Sequence, residues 1–435
     1  MASSLAALPG APASAPSTRA ASCLIIGGGA SGLAAASYFA ARGIPALLLE
    51  RLDRVGKKIL STGNGRCNLA NRDRAPERYG KAEDFVRRVY TVTPSGAALS
   101  FLSSLGLLFA EEEDRIYPRT MSAASVLDAL RAPLGRGTVR AVTGVRVTKL
   151  RFSHELWHAD AEDGRAFSAP FALFCPGGSA APKLGTDGSA AALVRDLGHT
   201  LVPAVPALVQ VRCRHAALPS LTGLRTRAAL RLFLDGSPAA AERGELLFTD
   251  YGVSGIPAMQ LSGLAARALF EKRKVFLTAD LLPEIGVGET EAFLLERLRA
   301  LRPLDCTALF TGVFPRMLTR AVLRECGLAP EDPPEALAEE TLSRLARAIH
   351  AFPLPVTGTM GFEHAQVTSG GVRLREVCPE TMESRLCPGL FFAGEVLDVD
   401  GPCGGYNRHF AFTSALTAAG AIARRLEEHG KENAV

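Results

Sequence analysis

Beyond residue 20, the first regular pattern is a short apolar strand candidate, Ala21 to Ile26, then a cluster of glycines. An Ala-rich stretch from Ala30 to Arg42 has helical character and stops at Gly43, just before Pro45. A second continuous apolar run spans Pro45 to Glu50. Runs without alternation are expected where both faces of a strand are covered. Strand, helix and strand in about thirty residues predict a parallel βαβ unit. A polar, glycine-marked loop follows from Asp53 to Arg74, and helical spacing returns between Thr93 and Phe109. Thr138 to Ser153 alternates like a strand or hairpin, and Ala166 to Gly178 ends an apolar strand on a Pro-Gly-Gly turn.

The texture changes near Gly198. Short β-like pieces occupy Leu201–Cys213, Ala228–Gly236, Gly244–Asp250 and Lys274–Leu282, and helical pieces dominate from Glu289 to His350. Glycine-rich turns resume near Phe362 and lead to a last helix. Asn407 is its expected N-cap, and Phe412, Leu416, Ala419, Ala423 and Leu426 recur on one face. The expected organisation is a flexible tail over 1–20 and a nucleotide-binding domain in two parts, 21–197 and 352–435. An inserted cap or substrate domain over 198–351 separates them. The fold class is α/β, a Rossmann-like domain interrupted by a β plus helical insertion.

Composition narrows the function classes. The chain has 435 residues, 47% hydrophobic and 21% charged, which reads as globular. No apolar run approaches bilayer length. The opening Ala/Ser/Pro-rich residues lack a basic start, so a tail is expected rather than a signal peptide. The nine cysteines include no CxxC spacing, which argues against a disulfide framework or a cysteine zinc site and for a reducing cytoplasm. No metal site is expected. A formal net charge of +5 permits an anionic ligand without demanding nucleic acid.

The chemistry concentrates in "GGGASG". It fits GxGxxG at Gly27, Gly29 and Gly32, after a strand, at a helix start, and before an acid (Glu50) at the end of the next strand. Gly27 permits the tight turn, Gly29 lets backbone approach a pyrophosphate, and Gly32 lets helix and strand pack. Ala30 and Ser31 stand where first-turn N–H groups and the positive end of the helix dipole meet phosphates. Glu50 can accept hydrogen bonds from both ribose hydroxyls, an arrangement a 2′-phosphate would disturb, so the unit selects against NADP. FAD and NAD both use such a unit. Glycine-rich signatures recurring far away, at Gly177–Gly178 and in "FFAGEVLD", favour the longer FAD, and the eight histidines are scattered.

Four stretches carry a resemblance: "CLIIGGGASGLAAA", "ERLDRVGKKILSTGNGRCNLAN", "GELLFTDYGVSGIPAMQLS" and "QVTSGGVRLREVCPETMESRLCPGLFFAGEVLDVDGPCGGYN". Together they resemble a bacterial family of FAD-dependent oxidoreductases that includes aminoacetone oxidase and BaiN-type, bile-acid-reductase-like proteins. The first and last are similar, more distantly, to motifs of the glutathione-reductase and fumarate-reductase flavoproteins. The resemblance implies an FAD Rossmann domain split by an insertion, with redox chemistry at the flavin.

Several residues acquire candidate roles beside that frame. Arg51 can lie by the adenine or the phosphates. Lys57 and Lys58 can offset pyrophosphate charge, and Lys58 can reach the flavin edge. Asn64, in a turn sequence, can donate to and accept from the flavin. Arg66 suits an anionic substrate or a structural ion pair. Cys67 has no resolving partner nearby and reads as a small buried residue. Val145 is expected beside the adenine, Gly177 and Gly178 beside the cofactor at a strand end. Gly394 clears space. Glu395 is placed for a ribitol hydroxyl, with Asp398 as a second candidate. The helix beginning at Asn407 offers positive partial charge to the anionic edge of a reduced flavin. Tyr406 can stack or donate a proton, whereas His409 reads as a structural residue. The polar-glycine stretches Asp250–Pro257 and Thr368–Val372 are expected as loops on the substrate side.

The expected function is a cytoplasmic FAD-dependent oxidoreductase acting on a small molecule, with NAD(P)H as candidate electron donor. Reduction of an activated C=C bond is the first reading, and oxygen-dependent oxidation of an amine or aminoketone is the alternative. A tRNA-modifying flavoprotein is the alternative of another class. Neither nucleic acid nor membrane is an expected partner, and oligomeric state is left open.

Overall fold

The computed structural model describes residues 21–61, 65–301, 305–333 and 337–432. The expected tail, 1–20, and Asn64 lie outside them. Strand β1 (Cys23–Ile26) turns through glycines into helix α1 (Ala30–Ala41), and β2 (Ala46–Leu49) returns parallel to β1. A lobe follows, with α2 (Lys57–Leu60), β3 (Ala70–Asn71), α3 (Glu83–Val92) and α4 (Ala97–Ser104). The expected helix over Thr93–Phe109 is thus shorter. Phe109 opens β4 (Phe109–Glu112), which pairs in a hairpin with β5 (Arg115–Pro118). After α5 (Ala123–Arg131), Thr138–Ser153 divides. β6 (Val139–Val142) joins β2, whereas β7 (Val147–Ser153) forms a separate antiparallel sheet with β8 (Leu156–Ala161) and β9 (Ala166–Ala169). Then β10 (Phe171–Phe174) returns beside β1, and α6 (Ala191–Asp196) follows.

The middle of the chain closes on itself. β11 (Leu201–Ala207) leads to β12 (Val211–Cys213), α7 (Leu218–Leu221) and the long hairpin β13 (Arg225–Leu234) and β14 (Ser237–Thr249). Next come β15 (Gly252–Ser254), α8 (Ile256–Phe270), β16 (Val275–Asp280), α9 (Val287–Leu301), α10 (Arg316–Glu325), α11 (Glu339–His350) and β17 (Phe352–Thr359). Six of these strands form a closed barrel in the order β12-β15-β14-β13-β16-β17. Residues 352–359, expected to return to the nucleotide-binding domain, instead supply the strand that closes the barrel, against β12 and β16. β18 (Val367–Val372) pairs with β11 in a two-stranded connection. Thr368–Val372, expected as a loop, is therefore strand. β19 (Leu390–Phe392) then completes a five-stranded sheet in the order β19-β10-β1-β2-β6, with every neighbouring pair parallel.

The last helix, α12 (Tyr406–Glu432), is not amphipathic in its first half: every residue from His409 to Ala423 is buried. It packs against α1, α3, α4 and β19, so no face is left to water. Its Ala, Ser, Thr and Gly residues permit that close approach. Its hydroxyls bond back within the helix, Thr413 to the His409 carbonyl (2.9 Å) and Ser414 to that of Phe410 (2.7 Å).

His409, 1% exposed, donates from Nε2 to the Ser95 carbonyl at 2.7 Å. Burial pushes its pKa from 6.5 down to about 4, although the Ser95 carbonyl opposes the shift. Burial also lowers His199, against the opposing Glu376. Between pH 6.5 and 4 the unfolded chain takes up protons that the folded chain refuses, so stability falls as pH falls. For His409 the shift amounts to about 3 kcal/mol. Thermal unfolding temperature should drop on acidification through this window and do so less steeply in His409→Gln. Equal slopes in both proteins would contradict this account.

Candidate functional site

In a parallel sheet, ligands sit outside the carboxyl ends of the strands, where the connections leave in opposite directions. Here β2 and β10 flank β1 on opposite sides, and the chain leaves β1 at Gly27 and β10 at Cys175–Gly178. The glycines are sterically required. Gly27 has φ +112°, and a Cβ there would meet the Cys175 carbonyl oxygen at 2.4 Å. A Cβ on Gly32 would fall 1.8 Å from the Gly27 carbonyl oxygen. Gly29 differs: nothing of the protein lies within 4 Å of where its Cβ would be. It faces a cavity of about 670 Å³, whose wall also holds Gly27, Ala30, Ser31 and Glu50. Helix α1 has no capping side chain, so its first-turn N–H groups are left for a ligand. A pyrophosphate fits this turn.

Glu50, 8% exposed, accepts from Gly28 N and Leu52 N, both at 2.8 Å, one on each carboxylate oxygen. Each oxygen keeps lone-pair capacity for a hydroxyl. A smaller cavity of about 240 Å³ adjoins the first at Gly27, Glu50 and Gly177, and takes in Arg51, Val145 and Gly178. Val145 N donates to the Glu50 carbonyl at 2.9 Å. Arg51 is held by Asp187 at 2.7 Å. Partial burial works against the Asp187 charge, but hydrogen bonds from Ser189 and Arg51 outweigh it and keep the carboxyl well below its usual range.

Lys57 and Lys58 both line the larger cavity. Lys57 pairs with Asp53 at 2.6 Å. Lys58 donates to Glu395 at 2.8 Å and to the Ala180 carbonyl at 3.1 Å. Glu395 also accepts from Thr368 N at 2.9 Å. Thr368 Oγ1 in turn accepts from Ser179 N (2.7 Å) and Ala180 N (3.0 Å). A Cβ on Gly178 would strike this hydroxyl at 2.4 Å. Gly394, with φ +75°, packs under Ser31 rather than in the cavity wall. Arg66 is in the wall, ion-paired with Glu112 and lying 4.5 Å from the Tyr117 ring centre.

One expectation needs correction, and two candidate residues lie apart from the cavity. Asn407 is not an N-cap. It lies inside α12, and its amide holds the preceding loop, accepting from Gly401 N (2.8 Å) and donating to Gly401 O (2.7 Å). It does line the cavity, beside Gly404, Gly405 and Arg408 at the helix N-terminus. Tyr406 is outside the described cavity wall, buried edge-on against Tyr79. Asp398 is likewise outside that wall, paired with Lys81 at 2.7 Å.

The structure adds wall residues that sequence reasoning missed: Arg115, Tyr117, Leu208, Cys403 and Arg408. Ile256 joins them; Asp250–Pro257, expected as a loop, instead holds β15 and the first residues of α8. Arg115 and Tyr117 were detectable in principle, because alternate residues of one strand share a face. Burial pushes the Cys403 thiol up, and the nearby Arg115 charge partly opposes it. Leu208 and Ala181 hold left-handed backbone, φ 49° and 58°, in the cavity wall. Such strain in non-glycine residues gathers at ligand sites.

The chain is similar to several known proteins. The family model described as HI0933-like protein Rossmann domain matches residues 21–421. The chain is 40% identical over 405 residues, 92% of this chain and 98% of that protein, to the 3-dehydro-bile acid delta(4,6)-reductase of Clostridium scindens. It is 26% identical over 402 residues to a ribosomal RNA dihydrouridine synthase of Escherichia coli K12, covering 91% and 96%. Among solved structures, the 3-ketosteroid-delta4-(5alpha)-dehydrogenase of Rhodococcus jostii RHA1 matches at 14% identity with a TM-score of 0.46, over 94% of this chain and 98% of that one. With a strand–glycine–helix turn that fits a dinucleotide and a family match across nearly all described residues, the chain belongs to the HI0933-like Rossmann-domain family and is an FAD-dependent oxidoreductase.

Proposed function

We propose that the protein reduces an activated C=C bond in a small, largely apolar molecule such as a 3-keto bile acid, with NAD(P)H as electron donor. The carrying observation is the 40% identity to a bile-acid reductase over 98% of that protein. The cavity chemistry supports it. FAD, when bound, supplies reversible two-electron transfer. In this reading the turn at Gly27–Ser31 receives its phosphates and Glu50 its ribose. The Lys58–Glu395 pair fixes the cavity floor. The N-terminus of α12 lends positive partial charge near Gly404 and Gly405. Residues 198–351 act as a cap whose Leu208 and Ile256 keep water from the substrate.

The test is anaerobic stopped-flow. Reduced enzyme should be reoxidised faster by a 3-keto-4-ene bile acid than by oxygen. Fast reaction with oxygen and none with the enone would favour the amine-oxidase alternative. The similarity to ribosomal RNA dihydrouridine synthases favours a second reading, an RNA base as substrate. Reoxidation by ribosomal RNA but not by the enone would select it.

A further inference from the structure

The larger cavity has two chemical faces. Leu208, Ile256 and Val367 present carbon, and Ile256 is 42% exposed. Elsewhere in the same wall β5 turns Arg115 and Tyr117 to one side, with Arg66 against the Tyr117 ring. The cations of this wall are held very differently. Lys57, Lys58 and Arg66 each meet a carboxylate within 2.8 Å. Arg408 donates to the Asn68 carbonyl, and Arg54 is exposed to solvent. Among the described residues Arg115 meets only Glu113, 3.7 Å away with an 85% exposed side chain. That contact is too long for a hydrogen bond and weak in water. Yet the Arg115 side chain is only 28% exposed. A largely covered arginine, with no hydrogen bond from its donor fork among the described residues, therefore borders a cavity with apolar carbon in its wall.

We propose that Arg115 is the specificity-determining residue of this cavity and receives a carboxylate carried by the apolar substrate. The proposal rests on the C=C-reductase reading for the kind of molecule that brings the carboxylate. A planar guanidinium engages a carboxylate through two parallel N–H···O bonds, stronger than neutral hydrogen bonds and oriented. Holding one end of a rigid apolar body this way fixes which of its bonds faces the reaction centre. An RNA strand is a poorer match, because its charged backbone gains nothing from Leu208, Ile256 and Val367.

The experiment uses the FAD-loaded enzyme and a saturated bile acid lacking the keto group, which the enzyme cannot reduce, beside its methyl ester. Binding is read from the perturbation of the flavin absorbance. The wild type should bind the acid about 10- to 100-fold tighter than the ester. Arg115→Gln should bring that ratio to within about threefold, and Arg115→Lys, which keeps charge but not the fork, should fall between. A wild type that binds neither compound, or binds both equally, overturns the proposal. So does Arg115→Gln weakening acid and ester alike, or ribosomal RNA displacing the acid from the wild type but not from Arg115→Gln. Should Arg115→Gln not retain FAD, an Arg115→Lys enzyme with the full wild-type preference overturns it as well. Failure of the reductase reading is seen separately, as absent reoxidation by the enone with the acid preference intact.

Discussion

Alanine at Gly29 should give a folded, colourless protein, and alanine at Gly32 should give little folded protein at all. The two glycines are three residues apart in one turn, but their surroundings are opposite. At Gly32 the added methyl would lie 1.8 Å from a backbone oxygen of Gly27, which is itself pinned by the Gly27 N–H donating to the Leu49 carbonyl. No side chain can swing away to relieve the clash, so β1 and α1 must separate. The loss should be on the order of 5 kcal/mol or more, among the largest for a single substitution. At Gly29 the methyl meets nothing of the protein and fills only the cavity. Apoprotein stability should stay within about 1 kcal/mol of wild type, while FAD affinity falls at least about 100-fold, because the pyrophosphate loses its close approach to backbone. Flavin absorbance of the purified proteins and the unfolding temperature of the apo forms separate the two effects. A yellow Gly29→Ala protein with wild-type FAD content would mean that the phosphates lie elsewhere.

Thr368→Val should be nearly as damaging although it changes no volume. The Thr368 hydroxyl is the acceptor for two consecutive N–H groups, Ser179 and Ala180, in the segment leaving β10. Valine fills the same space and accepts nothing. Each stranded N–H costs about 1–3 kcal/mol, so the sum is about 2–6 kcal/mol. Unfolding should occur several degrees lower, roughly 2–7 °C, with weaker FAD retention, because this segment carries Gly177 and Gly178. Thr368→Ser, which keeps the acceptor, should recover most of the loss. If Val and Ser behave alike, the hydroxyl is not what holds the segment.

The glycine turn was legible because its chemistry is local: a positive φ and close backbone contacts leave one residue type possible. The parallel strands were legible for a similar reason, since burial on both faces writes an unbroken apolar run. What was hidden is what depends on distant partners. Thr368 looked like part of a flexible Thr-Ser-Gly-Gly loop, and only β11 beside it makes it strand. Residues 352–359 carry two prolines and no clean alternation, so nothing in them announced a barrel strand. Asn407 had the right chemistry for a cap, but the helix starts one residue earlier and its amide is taken by Gly401. Tyr406 looked reactive because a phenol beside a glycine-rich loop is chemically versatile. The structure packs its ring edge-on against Tyr79, a contact the sequence does not announce.

The central sheet also sets an order of events for a nascent chain. Its strands begin at Cys23 but one of its two edge strands is Leu390–Phe392, and the helix that covers it, α12, follows that strand. While the ribosome is still translating the barrel, β10 has no neighbour on one side and α1 has lost its partner. The barrel, whose strands span 211–359, has all its strands before β19 is made. The amino-terminal third must wait with apolar surface uncovered, the condition under which long-range topologies fold slowly and aggregate. Chains released early should therefore depend on chaperones far more than the full-length product does.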